Sequence, residues 1–97
     1  MADAKIEVEN VNVPGHVTRV DGAKYSDMKK AMLRIVTSDT PGMTAKEIKD
    51  AAVPHLSSTL FPEGKTAGWW AKTVQLDLEA KGVFRRSDTK PLRWYKP

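Results

Sequence analysis

The side chains with the clearest chemical potential are basic, and they lie in the last third of the chain. Residues 65–97 hold eight lysines and arginines against three acidic residues, a net charge of +5, while the rest of the chain carries −1. A cluster of this kind favours binding to a polyanion. The alternative is a solvated basic surface that keeps the protein soluble.

The other reactive residue types do not converge on a catalytic site. His16 and His55 lie far apart, and neither has a second ligand at a metal-binding spacing. Asp77 and Glu79 are two positions apart on a predicted helix, so their side chains point in nearly opposite directions. The chain has no cysteine, glycine-rich phosphate loop or serine elbow. We therefore expect no enzyme activity, no metal and no cofactor, and no small-molecule ligand is evident from the sequence.

The composition predicts an ordinary globular domain. The chain of 97 residues is 40% hydrophobic and 29% charged, which allows one modest core. No apolar run approaches the length that spans a bilayer, and the first ten residues do not resemble a signal peptide. With the absence of cysteine, these features predict a cytoplasmic protein.

The elements that position the basic residues begin with a weakly patterned segment. Residues 1–24 alternate apolar and polar positions around Pro14-Gly15, which predicts short strands or an extended N-terminal arm. Residues 25–97 form the predicted domain. Its first helix is expected from Asp27 to Val36, capped by Ser26 or Asp27. A capping box at Thr44-Ala45-Lys46-Glu47 predicts the start of a second helix, which Pro54 limits or extends by one turn.

A third helix is predicted from Ala67 to Lys81, with Thr66 as its cap and Gly82 as its left-handed end. Its apolar residues fall into two sectors on opposite sides. One sector predicts a core and comprises Trp70, Ala71, Val74 and Leu78. The other comprises Trp69, Leu76 and Ala80, and predicts cover by the N-terminal arm or by a partner. Trp69 is interpreted as a core residue, with partner contact as the alternative.

The last segment predicts a β-hairpin. Strands at Val83–Arg86 and Leu92–Tyr95 flank a polar turn at residues 87–90, with Pro91 at an edge. Because side chains alternate along a strand, one of Trp94 and Tyr95 should pack inward and the other should be exposed. The predicted fold is therefore α+β and mainly α, with three helices followed by a hairpin.

This order of elements, with the segment Leu78-Glu79-Ala80-Lys81-Gly82-Val83-Phe84-Arg85-Arg86, resembles the winged helix-turn-helix superfamily. The whole chain also resembles an uncharacterised family of short bacterial single-domain proteins with a winged-helix-like pattern. The segments that carry this second resemblance are Gly68–Trp70, Lys72–Glu79 and Pro91–Trp94.

The winged-helix resemblance implies that the third helix faces the major groove of duplex DNA and that the hairpin, the wing, lies along the backbone or in the minor groove. Such a protein could be a transcriptional regulator and commonly binds as a homodimer. The expected contacts come from residues able to meet base edges or phosphates: Lys72, Thr73, Gln75, Arg85, Arg86, Lys90 and Arg93. The alternative function is a protein-interaction or dimerisation module, with Trp69 and Leu76 at its interface.

Overall fold

The computed structural model of the chain describes residues 5–97, so the first four residues of the predicted arm lie outside the described part. It shows a small α+β fold with three helices and two small sheets. In the described residues, no helix is long and apolar enough to cross a membrane. The elements in chain order are β1 (Lys5–Glu9), β2 (Val17–Asp21), α1 (Gly22–Ile35), β3 (Met43–Thr44), α2 (Ala45–Ala52), α3 (Ala67–Ala80), β4 (Arg85–Ser87) and β5 (Arg93–Tyr95).

The N-terminal segment is a β-hairpin rather than a free arm. β1 and β2 pair antiparallel, with Ile6 opposite Val20 and Val8 opposite Thr18. Val8 and Val20 are buried, whereas most other residues of the two strands are exposed. The predicted alternation around Pro14-Gly15 is therefore confirmed as two strands, and the hairpin packs against α1 and α3.

α1 begins at Gly22, so the predicted start at Asp27 is wrong. Asp21 caps the helix, because its carboxylate accepts hydrogen bonds from the amides of Ala23 (2.9 Å) and Lys24 (3.3 Å). The buried Tyr25 extends the apolar stripe of the helix by one turn. Asp27, one of the two predicted caps, instead accepts a hydrogen bond from the amide of Ser57 at 2.8 Å.

α2 begins where the sequence predicts. The Thr44 hydroxyl accepts from the Glu47 amide at 3.2 Å, and the Glu47 carboxylate accepts from the Thr44 amide at 2.9 Å. The second hydrogen bond lowers the pKa of Glu47. The α-helix ends at Ala52, and a short 3-10 turn that contains Pro54, Val53–His55, follows it directly.

α3 ends as the sequence predicts but begins differently. At its end, Gly82 has a φ of 78°, and the amide of Val83 donates to the Leu78 carbonyl at 2.8 Å, which completes a left-handed helix end. At its start, Thr66 has a φ of 63° and its hydroxyl donates to the Lys65 carbonyl. The predicted side-chain cap at Thr66 is therefore wrong.

The C-terminal hairpin is confirmed, and it belongs to a three-stranded sheet of order β3-β5-β4. Trp94 on β5 is the register partner of Met43 on β3 and of Arg86 on β4. Trp94 is buried, as predicted for one of the two aromatic residues, but Tyr95 is half-buried and not fully exposed. The core lies between the helices and both sheets, and its fully buried side chains include Met28, Met32, Ile48, Val74, Leu78 and Phe84.

Candidate functional site

α3 occupies the centre of the fold and contributes to every candidate site. Trp70, Ala71, Val74 and Leu78 are buried against the other helices, which confirms the first apolar sector. The opposite sector is flanked by the N-terminal hairpin. Between these two sectors lies a third side of α3, which carries Gly68, Lys72, Gln75 and Glu79 and faces α2 and the C-terminal hairpin.

Asp77 is fully buried, although its neighbours on the same side of α3, Thr73 and Lys81, are polar. Its carboxylate accepts a hydrogen bond from the Tyr25 hydroxyl on α1 and another from the Glu9 amide on β1 at 2.8 Å. The Lys81 ammonium lies 2.8 Å from it and supplies the counter-charge. Burial and the bond to Asp77 raise the pKa of Tyr25 well above its ordinary value. The negative charge of Asp77 is therefore both neutralised and hidden from solvent.

Glu79 connects α3 to the C-terminal hairpin. Its Oε1 accepts hydrogen bonds from Gln75 Nε2 (2.7 Å), Trp94 Nε1 (2.9 Å) and Arg86 Nη2 (3.1 Å). Arg86 Nε lies 2.9 Å from Oε2 but is not aligned as a hydrogen-bond donor, so this contact is an ion pair only. The Arg86 guanidinium also lies over the Trp94 ring, 5.6 Å from its centroid. Glu79 is thus compensated by Arg86 and held in place.

A groove of about 510 Å³ opens beside these residues, and we call it the α2–α3 groove. Four elements form its walls: α2, α3, the C-terminal hairpin and the loop between β1 and β2. Its lining contains four basic residues and no acidic residue. The basic residues are Lys46, Lys49, Lys72 and Arg86, and the others are Asn12, Ala45, Ile48, Gly68, Ala71, Gln75, Leu76, Leu92 and Trp94.

The structure brings some of the predicted contact residues to solvent and engages others internally. Lys72 is exposed at the α2–α3 groove, and Arg85 and Lys90 are exposed on and beside the C-terminal hairpin. Gln75 is buried and donates to Glu79, as Arg86 does. These two residues are therefore held at the wall of the groove.

Two further predicted contacts lie away from the α2–α3 groove. Arg93 Nη1 donates to the Gly42 carbonyl at 3.1 Å and lies 3.3 Å from the Glu47 carboxylate. Thr73 is half-buried and lines a smaller hollow of about 130 Å³ beside the N-terminal hairpin. The seven predicted residues therefore do not form one continuous surface.

Sequence reasoning missed Lys46 and Lys49, which form the α2 wall of the groove. A signal existed for Lys49, because the capping box at Thr44 sets the phase of α2. With Ile48 in the core, position 49 lies at the edge of the apolar face, where a lysine reaches along the surface. Position 46 lies nearly opposite Ile48 on the helix, and the Lys46 side chain is 84% exposed. Both lysines lie near Asp50, at 2.7 Å for Lys46 and 3.5 Å for Lys49.

Trp69 is 58% exposed, so its interpretation as a core residue is wrong. Its ring stacks edge-to-face on Trp70, with centroids 5.0 Å apart, and otherwise faces outward. It lines the smaller hollow together with Leu76, which is half-buried and also reaches the α2–α3 groove. The N-terminal hairpin therefore covers the second apolar sector only in part.

No group of three histidine, aspartate or glutamate side chains within residues 5–97 is arranged to hold a metal ion. Comparisons with curated proteins and with solved structures give no match. The comparison with protein families matches one model, described as a family of unknown function (DUF6958), over residues 5–94. Since the match covers nearly the whole chain, the protein belongs to the DUF6958 family.

Proposed function

We propose that this protein is a winged-helix protein that binds duplex DNA through α3 and the C-terminal hairpin, which would be the wing. The connectivity supports the proposal: a helix, a short strand, two helices and a hairpin follow in order, and the short strand pairs with the last strand. In that arrangement α3 is the recognition helix, and its N-terminal half is the part that reaches base edges.

The observation that carries the proposal is the separation of charge around α3. The α2–α3 groove is lined by basic residues without an acidic one, although α3 itself contains two carboxylates. Asp77 is buried and paired with Lys81, and Glu79 is compensated by Arg86. Neither carboxylate therefore opposes a phosphate backbone, and the local field favours a polyanion.

In this binding mode the basic residues would have different roles. Lys72 lies exposed on α3, where it can meet a phosphate or a base edge. Arg85 and Lys90 are exposed on and beside the hairpin, where they can hold the backbone. Arg86 and Arg93 are already bonded within the protein, so they position the hairpin and contribute less to contact.

Fluorescence anisotropy with a labelled duplex, measured over a series of salt concentrations, tests the proposal. The observed binding constant should fall steeply as salt rises, because each phosphate contact releases a counterion. Replacing Lys72 and Arg85 together by alanine should weaken binding by roughly ten-fold and reduce the salt slope by about 2.

The matched control is the pair Lys30→Ala and Arg34→Ala. Both residues are exposed on α1 and do not line the groove. This double variant has the same net charge as the test variant, because each removes two positive charges. It should bind DNA nearly as the parent does. Salt-independent binding, or equal losses in the two double variants, would show that α3 and the hairpin are not the contact surface.

A second candidate function is self-association or binding to another protein, and the exposed Trp69 favours it. Large aromatic side chains in solvent are common at interfaces, and this one adjoins a hollow that the hairpin leaves partly open. Light scattering of the parent and of Trp69→Ser tests for a homodimer. A dimer that dissociates in the variant supports this function, whereas a parent that is monomeric at every concentration contradicts self-association.

A further inference from the structure

We propose that the α2–α3 groove is a binding site for a small organic anion with an aromatic or branched apolar body. This site goes beyond the proposed contact with DNA, because it concerns the interior of the groove rather than its basic rim. Its volume of about 510 Å³ falls within the roughly 300 to 1,000 Å³ of small-molecule pockets.

The interior of the groove is apolar. The half-buried Leu76 on α3 and the exposed Leu92, between β4 and β5, supply its accessible apolar surface, while Ile48 and Trp94 lie behind them in the core. Leu92 is 38% exposed and is one of four large hydrophobic residues that the described part of the chain leaves in solvent. An apolar ligand body would remove this surface from water, which is the main driving force for ligands of this kind.

The charges around the groove favour an anion. Arg86 is fixed by Glu79 and Trp94, and Lys46 and Lys49 lie beside Asp50, so these three cations are partly compensated. Lys72 has no ion-pair partner among the described residues and is exposed at the same opening. A carboxylate, sulfonate or phosphate on the ligand would supply the missing counter-charge.

The shape of the groove favours a compact ligand over an extended peptide. The loop between β1 and β2 contributes Asn12 to the lining, so four elements bound the groove, and on α3 it extends only from Gly68 to Leu76. Gly68 keeps it open between α2 and α3. A Cβ atom at this position would lie 3.8 Å from Lys49 Cδ, in ordinary contact, so a larger side chain there would extend into the opening.

Titration of the full chain with anilinonaphthalene sulfonate, an aromatic anion, tests the site. The probe should bind with one-to-one stoichiometry, and two-dimensional amide NMR should show shifts concentrated at Gly68, Lys72 and Leu92. Its neutral analogue N-phenylnaphthylamine serves as the charge control. Cooperative thermal unfolding of the same sample shows that the protein is folded in the presence of the probe.

Two variants separate the contributions of shape and charge. Gly68→Leu fills the opening from an exposed helical position and should weaken binding of both probes by at least about ten-fold. Lys72→Gln should weaken binding of the sulfonate by roughly two- to five-fold and leave the neutral probe unchanged, while Lys30→Gln should change neither.

The absence of saturable one-to-one binding to the folded parent would overturn the proposal. So would unchanged binding of the sulfonate by Gly68→Leu, or equal effects of Lys72→Gln on the two probes. The titration contains no DNA, so its result stands independently of the DNA experiment.

Discussion

The hydroxyl of Tyr25 on α1 donates a hydrogen bond to the buried carboxylate of Asp77 on α3, 52 positions later in the chain. The same carboxylate accepts the Glu9 amide from β1 and pairs with Lys81. One side chain therefore joins the N-terminal hairpin, the first helix and the third helix. Because it is buried, its loss leaves polar groups without partners and without water.

Replacing Asp77 by alanine should be strongly destabilising. The variant leaves the Tyr25 hydroxyl and the Glu9 amide unpaired, and we expect a loss of about 3–5 kcal/mol in the free energy of unfolding. Asp77→Asn keeps an acceptor of the same shape and should cost less, about 1–3 kcal/mol. Urea denaturation measures both losses. Asp88→Ala, at an exposed aspartate in the hairpin turn, is the control and should stay within about 0.5 kcal/mol of the parent. A small loss in Asp77→Ala would show that the cluster is not a structural centre.

Stability should fall in alkaline solution because of Tyr25. Burial, and then the hydrogen bond to Asp77, raise its pKa above the ordinary value of 10.0. Above pH 10 the unfolded chain therefore releases this proton while the folded chain retains it, and the free energy of unfolding decreases as pH rises. Below that pH the contribution is complete. The slope from this group is at most about 1.4 kcal/mol per pH unit.

Tyr25→Phe isolates this effect, because the variant retains every lysine and every other tyrosine. The free energy of unfolding of the parent and of the variant should be measured by denaturation from about pH 8 to about pH 11. Plotted against pH, the two sets of values should differ in slope only at the alkaline end. Parallel curves over the whole range would contradict the assigned cause.

Gly42 should not tolerate a side chain. It has a φ of 98°, and a Cβ atom there would lie 2.1 Å from the carbonyl oxygen of Trp94. Gly15 has a similar φ of 86° but nothing within 4 Å of the added atom, so Gly15→Ala measures the backbone cost alone. We expect that cost to be about 1–2 kcal/mol, and we expect Gly42→Ala to lose at least about 2 kcal/mol more because β3 must move away from β5. Equal losses in thermal or urea unfolding would show that this close approach is not required.

Glu79 should control the placement of the C-terminal hairpin. Glu79→Ala leaves Arg86 without its counter-charge and the Trp94 indole without its acceptor, so we expect a loss of about 2–4 kcal/mol in stability. The NMR signal of the Trp94 indole N–H should also move to a solvent-like position. Glu7→Ala, at an exposed carboxylate of β1, should leave that signal in place. An unshifted indole signal in Glu79→Ala would contradict the hydrogen bond.

Local signals predicted much of the fold because they depend on neighbouring residues. The capping box at Thr44 and the glycine at the end of α3 are complete within a few positions, and the structure confirms both. The start of α1 was missed because Gly22 is a poor helix former, and the helix there depends on the Asp21 cap and on the burial of Tyr25. The sequence did not predict β3, because a segment of two residues has no strand pattern of its own and is a strand only through its pairing with β5.

The candidate site was less predictable, because charges on a helix indicate a face but not a partner. Asp77 resembles a solvated residue until Tyr25 and the Glu9 amide, both distant in sequence, are brought against it. Gln75 and Arg86 resemble ligand-binding residues until Glu79 engages them. Lys46 joins Lys72 at one groove only because α2 packs beside α3, a relationship that no single segment encodes.

The sheet order β3-β5-β4 places the strand that occurs last in the described sequence between the other two. During synthesis, Met43 and Thr44 leave the ribosome about 50 residues before their partners Trp94 and Arg93. At translation rates of roughly 5–20 residues per second, the backbone of β3 therefore remains unpaired with β5 for several seconds. The helices can begin to pack during that interval, but the sheet that holds the hairpin against α3 can close only after Tyr95 has emerged.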